Sequence, residues 1–150
     1  MPQSLANILV HLVFSTQDRA PMLDDVWRDD LHAYIGGIVR RCGSDLLAAN
    51  SVADHIHLLL PMPRTMSVAD LVREVKTGAT KWIQEKAPAL ARFHWQAGYG
   101  IFSVSPSHKE AVIQYIAVQQ EHHRTVSFQD EYRRLLEKYG IQYDERYLWD

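Results

Sequence analysis

Hydrophobic residues fall along this chain in two rhythms, and the switches between them mark out eight elements. Residues 7–14 (NILVHLVF) are apolar nearly throughout, which predicts a central strand covered on both faces. Asp24 and Asp25 then cap a helix running to about Arg41, with Val26, Trp27, Leu31, Tyr34, Ile35 and Ile38 on one side and Gly43 just past its end. Residues 45–52 read as a second strand and 53–60 as a third, stopped by Pro61 and Pro63. Ser67, with Asp70 three residues on, opens a second helix. Its apolar stripe is Val68, Leu71, Val72, Val75, Ala79, Trp82 and Ile83, and Pro88 marks its end. An aromatic, glycine-containing loop (93–100) leads into a short strand at 101–104. One helix is expected from Ser105 to about Arg124 and a last one over 130–139, closed by Gly140 and followed by an aromatic, mixed-charge tail.

The order β-α-β-β-α-β-α-α has one hairpin in its middle. The simplest packing is an α+β, ferredoxin-like sandwich: an antiparallel sheet with helices on one face. No repeat or linker divides the chain, so a single domain over 1–150 is expected.

Two segments within that frame carry chemistry. On the third strand His55 and His57 point the same way, because side chains repeat every second residue, while Ile56, Leu58 and Leu60 take the opposite face. On the helix after the fourth strand, Tyr115, Gln119 and His122 sit at i, i+4 and i+7 and share a face. Imidazole binds first-row divalent metals. The Gln119 amide oxygen offers a third ligand, and Tyr115 a hydroxyl beside it. A free tyrosine, with a pKa near 10, is a poor nucleophile and needs a nearby cation. Taken singly, each residue also has a plain structural explanation: a satisfied strand histidine, a core tyrosine, or (for His122) a cation at a helix C-terminus.

Across residues 64–92 six Lys/Arg face three Asp/Glu, and Arg73, Lys76 and Lys81 lie on the polar side of the second helix. They are candidates for phosphate binding, with Trp95 and Tyr99 offering rings for unpaired bases. A solvated helix face, and rings that close one end of the core, are the alternatives.

The bulk composition narrows the classes. A net charge of −2 argues against a protein that coats duplex DNA by charge alone, though not against a local basic groove. Cys42 is the only cysteine, which excludes an intramolecular disulfide and a cysteine-rich zinc site and fits a reducing cytoplasm. Neither a signal peptide nor an apolar run of about 20 residues is visible, so no membrane partner is expected.

At these residues the chain resembles the HUH tyrosine transposases of small single-stranded insertion sequences and the related REP-associated tyrosine transposases. His55-Ile56-His57 matches the histidine-hydrophobic-histidine motif, and Tyr115 with Gln119 matches the catalytic tyrosine and third metal ligand. Residues 95–99, 102–104, 119–123 and 143–149 are also similar, so the resemblance spans nearly the whole chain. One departure is Val118, where the family often carries asparagine.

The resemblance implies a transposase that cleaves and rejoins single-stranded DNA near hairpin ends through a 5′-phosphotyrosine, leaving a free 3′-hydroxyl. It implies Tyr115 as nucleophile, His55, His57 and Gln119 as ligands of Mg2+ or Mn2+, and a homodimer acting in the cytoplasm of a bacterial or archaeal cell, at the nucleoid. Pairing of subunits would also cover sheet edges if the first and third strands were left open. Other readings stay open. A domesticated nickase at genomic hairpin repeats would share the chemistry. A non-catalytic nucleic-acid-binding module would not bring Tyr115 to the histidines. A small zinc hydrolase built on His55, His57 and His122 would not use Tyr115.

Overall fold

The computed structural model describes residues 2–150. Four strands, β1 (Leu9–Ser15), β2 (Ala48–Ser51), β3 (His55–Pro61) and β4 (Gly100–Val104), form one antiparallel sheet in the order β2-β3-β1-β4. This is the ferredoxin-like order expected from the sequence. The centre falls to β1 and β3, whose near-continuous apolar sequence suits burial on both faces: all seven residues of β1 are buried. The open edges are therefore β2 and β4, and the expectation that β1 or β3 would need covering does not hold.

Helices α1 (Asp25–Arg41) and α2 (Val68–Lys86) start where expected, with the Asp24 and Ser67 side chains accepting from the Val26 and Asp70 amides. Their apolar stripes pack with Val10, Leu12, Phe14, Ile56, Leu58 and Leu60 in the main core.

The expected layout of helices on one face needs an addition. The other face of the sheet is covered as well, by α3 (Lys109–Ala117) and α5 (Phe128–Lys138), with the single turn α4 (Gln119–His122) between them. Ile116 packs with Leu9, Leu59 and Val104. Phe128, Tyr132 and Leu136 pack with Val13 and Phe102. The helix expected from 105 to 124 is in fact broken at Val118 (φ −101°, ψ 19°). Asn50 of β2 takes up the carbonyls freed there, its amide donating to the Ile116 oxygen at 2.9 Å and the Ala117 oxygen at 3.2 Å. That satisfies the helix end without a glycine cap. Trp149, in the tail, rests on Phe128 and Tyr132 beneath the guanidinium of Arg133. No helix among the described residues is long and apolar enough to cross a membrane.

The docking of α5 depends on Gly100. A Cβ there would lie 2.6 Å from Cε2 of the buried Tyr132 ring and 3.1 Å from Phe102. Gly100→Ala should therefore cost about 1–3 kcal/mol by overpacking, read as a lower urea midpoint. An unchanged midpoint would show that α5 is free to shift.

Candidate active site

The antiparallel register sets Val13 opposite His57 and Ser15 opposite His55. Alternation turns both histidines toward the face that α3–α5 cover, where each is fully buried. Tyr115 of the same chain hangs over them from α3, its ring centre 5.8 Å from that of His57. The strand histidines and the helix tyrosine, 58 residues apart in the second case, thus meet within one protomer.

At the meeting point stands a residue that the sequence reading did not single out. Glu131 of α5 is 2% exposed. Its Oε1 accepts from His57 Nε2 at 2.9 Å and lies 2.9 Å from His123 Nε2 and 3.4 Å from His55 Nε2. Its Oε2 accepts from the Tyr115 hydroxyl and lies 3.3 Å from His122 Nε2. One carboxylate therefore touches four imidazoles and the tyrosine.

The far nitrogen of each inner imidazole is also engaged. His55 Nδ1 donates to Asp54 at 2.7 Å, and His123 Nδ1 donates to the Val126 carbonyl at 2.6 Å. His57 Nδ1 pairs with Nε2 of the buried His11 at 2.8 Å. Such outer contacts fix ring orientation and leave Nε2 aimed inward, the arrangement of metal-ligating histidines. One atom each from His55, His57, His123 and Glu131 lie within 4.8 Å of one another. Three imidazoles and a carboxylate suit a first-row divalent ion and are a poor match for magnesium, which prefers oxygen ligands.

Gln119, the expected third ligand, is fully buried. Its amide nitrogen donates to the Tyr115 carbonyl at 3.1 Å, while its Oε1 has no hydrogen-bond partner. A buried, unsatisfied amide oxygen is costly unless something else binds it.

The electrostatics favour a cation. Burial first, then the Glu131 charge, push the Tyr115 hydroxyl well above its ordinary value, with a weaker opposing hydrogen bond from Gln119. Burial would raise Glu131 too, but hydrogen bonds from His123, His55 and His57 outweigh it and hold the carboxylate ionised. Burial and the Glu131 charge together therefore keep the proton on Tyr115, and a positive ion bound nearby would act in the opposite direction.

His122 and His123 both reach Glu131 because the break at Val118 resets the helix phase. A straight helix from Tyr115 would bring in His122 alone. His123 and His11 escaped notice as half of a helix-end pair and as a lone histidine in an apolar strand. Glu131 did leave a signal: it sits between Phe128, Tyr132 and Leu135 on the apolar side of its helix.

Arg73, Lys76, Lys81, Trp95 and Tyr99 line one groove of about 630 Å3, beside α2 and so across the sheet from Tyr115. Arg73 and Lys81 are exposed, and Arg73 pairs with Asp70 at 2.9 Å. Lys76 is half-buried and donates to the carbonyls of Gln96 (2.8 Å) and Gly98 (2.7 Å), a clamp on the loop. Trp95 is buried edge-on against Phe14 and Phe93, and its Nε1 has no hydrogen-bond partner. Tyr99 is half-buried.

Residues 4–119 match the family model described as IS200-like transposase. No curated protein matches the chain in sequence. Among solved structures, a candidate transposase from Deinococcus radiodurans R1 is similar, with a TM-score of 0.64 and 24% identity over 79% of this chain and 98% of that one. A REP-associated tyrosine transposase bound to a REP hairpin is similar with a TM-score of 0.61 and 16% identity, over 84% of this chain and 74% of that one. The family match ends at Gln119, before His122, His123 and Glu131.

Burial lowers His11 to about 3 and His57 to about 4, whereas both titrate near 6.5 in an unfolded chain. As pH falls below 6.5 the unfolded state binds protons first, so the metal-free protein loses stability until the buried rings protonate. His11→Leu should flatten that loss in a plot of urea midpoint against pH. A curve parallel to wild type would contradict the assignment.

Proposed function

This chain belongs to the IS200-like transposase family, the transposases of single-stranded DNA, and on that premise we propose that Tyr115 is its nucleophile, placed beside a divalent-metal site. His55 and His57 would hold the ion, with His123 and Glu131 offering ligand atoms within 4.8 Å of theirs and Gln119, whose buried Oε1 is unpartnered, as the proposed amide ligand. Bound there, the ion supplies Lewis-acid neutralisation of charge on the scissile phosphate. Tyr115 Oη attacks phosphorus in line as the bond to the 3′-oxygen breaks. The products are a 5′-phosphotyrosine and a 3′-hydroxyl, and the tyrosine's proton ends on that oxygen. Glu131 holds the hydroxyl hydrogen bond that orients Tyr115 for attack. Because the phosphotyrosine conserves the energy of the broken bond, a second 3′-hydroxyl can reverse the step and rejoin strands without ATP.

The observation that carries this reading is that single shared carboxylate, which joins the imidazole cluster to the tyrosine. Nitrogen ligands favour manganese over magnesium in affinity, while cellular abundance favours magnesium. The groove of Arg73, Lys81 and Tyr99 is proposed to hold hairpin DNA, a reading supported by the similar protein solved with a hairpin. A homodimer is proposed as the unit that exchanges two ends. Sedimentation at micromolar concentration should then give twice the chain mass, and a monomer that joins two ends would contradict it.

Tyr115→Phe should abolish the denaturation-resistant protein–DNA adduct formed with a hairpin-bearing single strand, while leaving hairpin binding intact. Glu131→Gln should slow adduct formation by about a hundredfold, and excess chelator should stop it in wild type. A wild-type adduct level in the Tyr115 variant would sink the nucleophile assignment. Undiminished cleavage in chelator would sink the metal.

Arg73→Ala with Lys81→Ala should lower the log–log salt slope of hairpin binding by up to ~1.8, at ~0.9 per duplex phosphate contact. An identical slope would show a merely solvated helix face.

A further inference from the structure

His11 is 3% exposed in the middle of β1, on the sheet face that carries the site. The register sets His11 opposite Leu59 and Val13 opposite His57, so His11 and His57 are diagonal neighbours on that face. Their rings stack with centres 5.0 Å apart, and Nε2 of His11 lies 2.8 Å from Nδ1 of His57. We propose that His11 is a positioning residue for the metal site, whose hydrogen bond to His57 reverses direction and so turns His57 Nε2 from a donor into a ligand atom. This rests on the metal reading above and extends it past the ligands themselves.

The outer partners of the imidazoles carry the argument. His55 Nδ1 donates to the Asp54 carboxylate, and His123 Nδ1 donates to the Val126 carbonyl. Neither partner can donate in return. Both Nδ1 protons are therefore fixed, and Nε2 is the nitrogen left for an ion. His57 differs. Its Nε2 donates to Glu131 Oε1 at 2.9 Å, because an ionised carboxylate only accepts. Burial keeps His11 and His57 neutral, so each ring carries one proton. His57 Nδ1 is thus bare in this arrangement and accepts from His11 Nε2–H. A ligating His57 needs the opposite tautomer, with Nε2 bare and Nδ1–H donating. Its partner must donate in one arrangement and accept in the other. An imidazole does both, whereas a carbonyl or an ionised carboxylate cannot.

Reversal moves protons and leaves the rings in place. The His11 ring stands edge-on to Phe102 and Tyr115, with centres 6.3 and 6.1 Å away. Its Nε2 proton passes to His57 Nδ1, the His57 Nε2 proton leaves to solvent, and His11 Nδ1 takes one from water. The proton count of the pair is unchanged. His11 Nδ1 has no protein partner among the described residues, and the ring lines a cavity of about 710 Å3, ample for water. Ligation draws electrons from an imidazole and makes its Nδ1–H the stronger donor. The bond to His11 therefore weighs more with an ion bound than without one.

Side-chain 15N NMR reads the tautomer of each histidine ring. Wild-type protein freed of metal by chelator should show His11 and His57 both protonated at Nε2. One equivalent of Zn2+, a diamagnetic probe, should move both protons to Nδ1, although His11 is no ligand. Calorimetric titration with Mn2+ gives a second readout. His11→Leu should bind Mn2+ about ten- to a hundredfold more weakly, and His11→Gln, whose amide can donate or accept, should recover most of that loss. The NMR arm uses wild-type protein and stands even if the leucine variant fails to fold. If His57 changes tautomer while His11 keeps its Nε2 proton, or if the leucine variant binds Mn2+ as tightly as wild type, His11 has no such role and the metal reading stands without it. A wild-type protein that binds neither ion would remove the metal reading, and the role of His11 with it.

Discussion

A carboxylate that is almost wholly buried is among the most costly groups a small protein can carry, and Glu131 is 2% exposed. Its charge is tolerable only because hydrogen-bond donors converge on both oxygens. Those donors come from β3, α3 and the α4 turn, so the carboxylate ties every element of the site to α5. Removing it would leave the imidazoles unpaired and α5 held only by its apolar side. The same contacts explain the electrostatics: burial and the charge that satisfies the imidazoles together hold the proton on Tyr115.

The sheet makes this arrangement by division of labour. The even-numbered residues of β1 and β3 build the core with α1 and α2. The odd-numbered ones hold two small apolar clusters and, between them, His11, His55 and His57. The polar site thus sits inside a second, thinner layer. That layer is built from short helices, whose packing rests on close approaches such as Gly100 against Tyr132.

Much of this was legible in the chain. The period-two and period-3.6 patterns marked the succession of strands and helices along the chain, the two capped helices and the shared face of His55 and His57. The tyrosine and glutamine were found by helical spacing, a local property. What escaped depended on tertiary context. The break at Val118 is set by Asn50 taking carbonyls from across the sheet edge, which no window around Val118 reveals. His11 looked like one polar residue in a buried strand, and its partner is 46 residues away. Lys76 read as a free cation, yet its ammonium is spent on loop carbonyls; burial pushes it down to about 8. Glu131 lay on the apolar side of its helix, where an acid is conspicuous, but its partners lie in three other elements.

The central claim is that one divalent ion binds among the imidazoles at Glu131, next to Tyr115. Anomalous diffraction from crystals grown with Mn2+ tests it most directly. The account expects a single strong peak per chain, within coordination distance of the Nε2 atoms of His55 and His57 and beside the Tyr115 hydroxyl that Glu131 orients. A peak bound elsewhere, or none while Glu131 keeps its hydrogen bonds to the histidines, would contradict it.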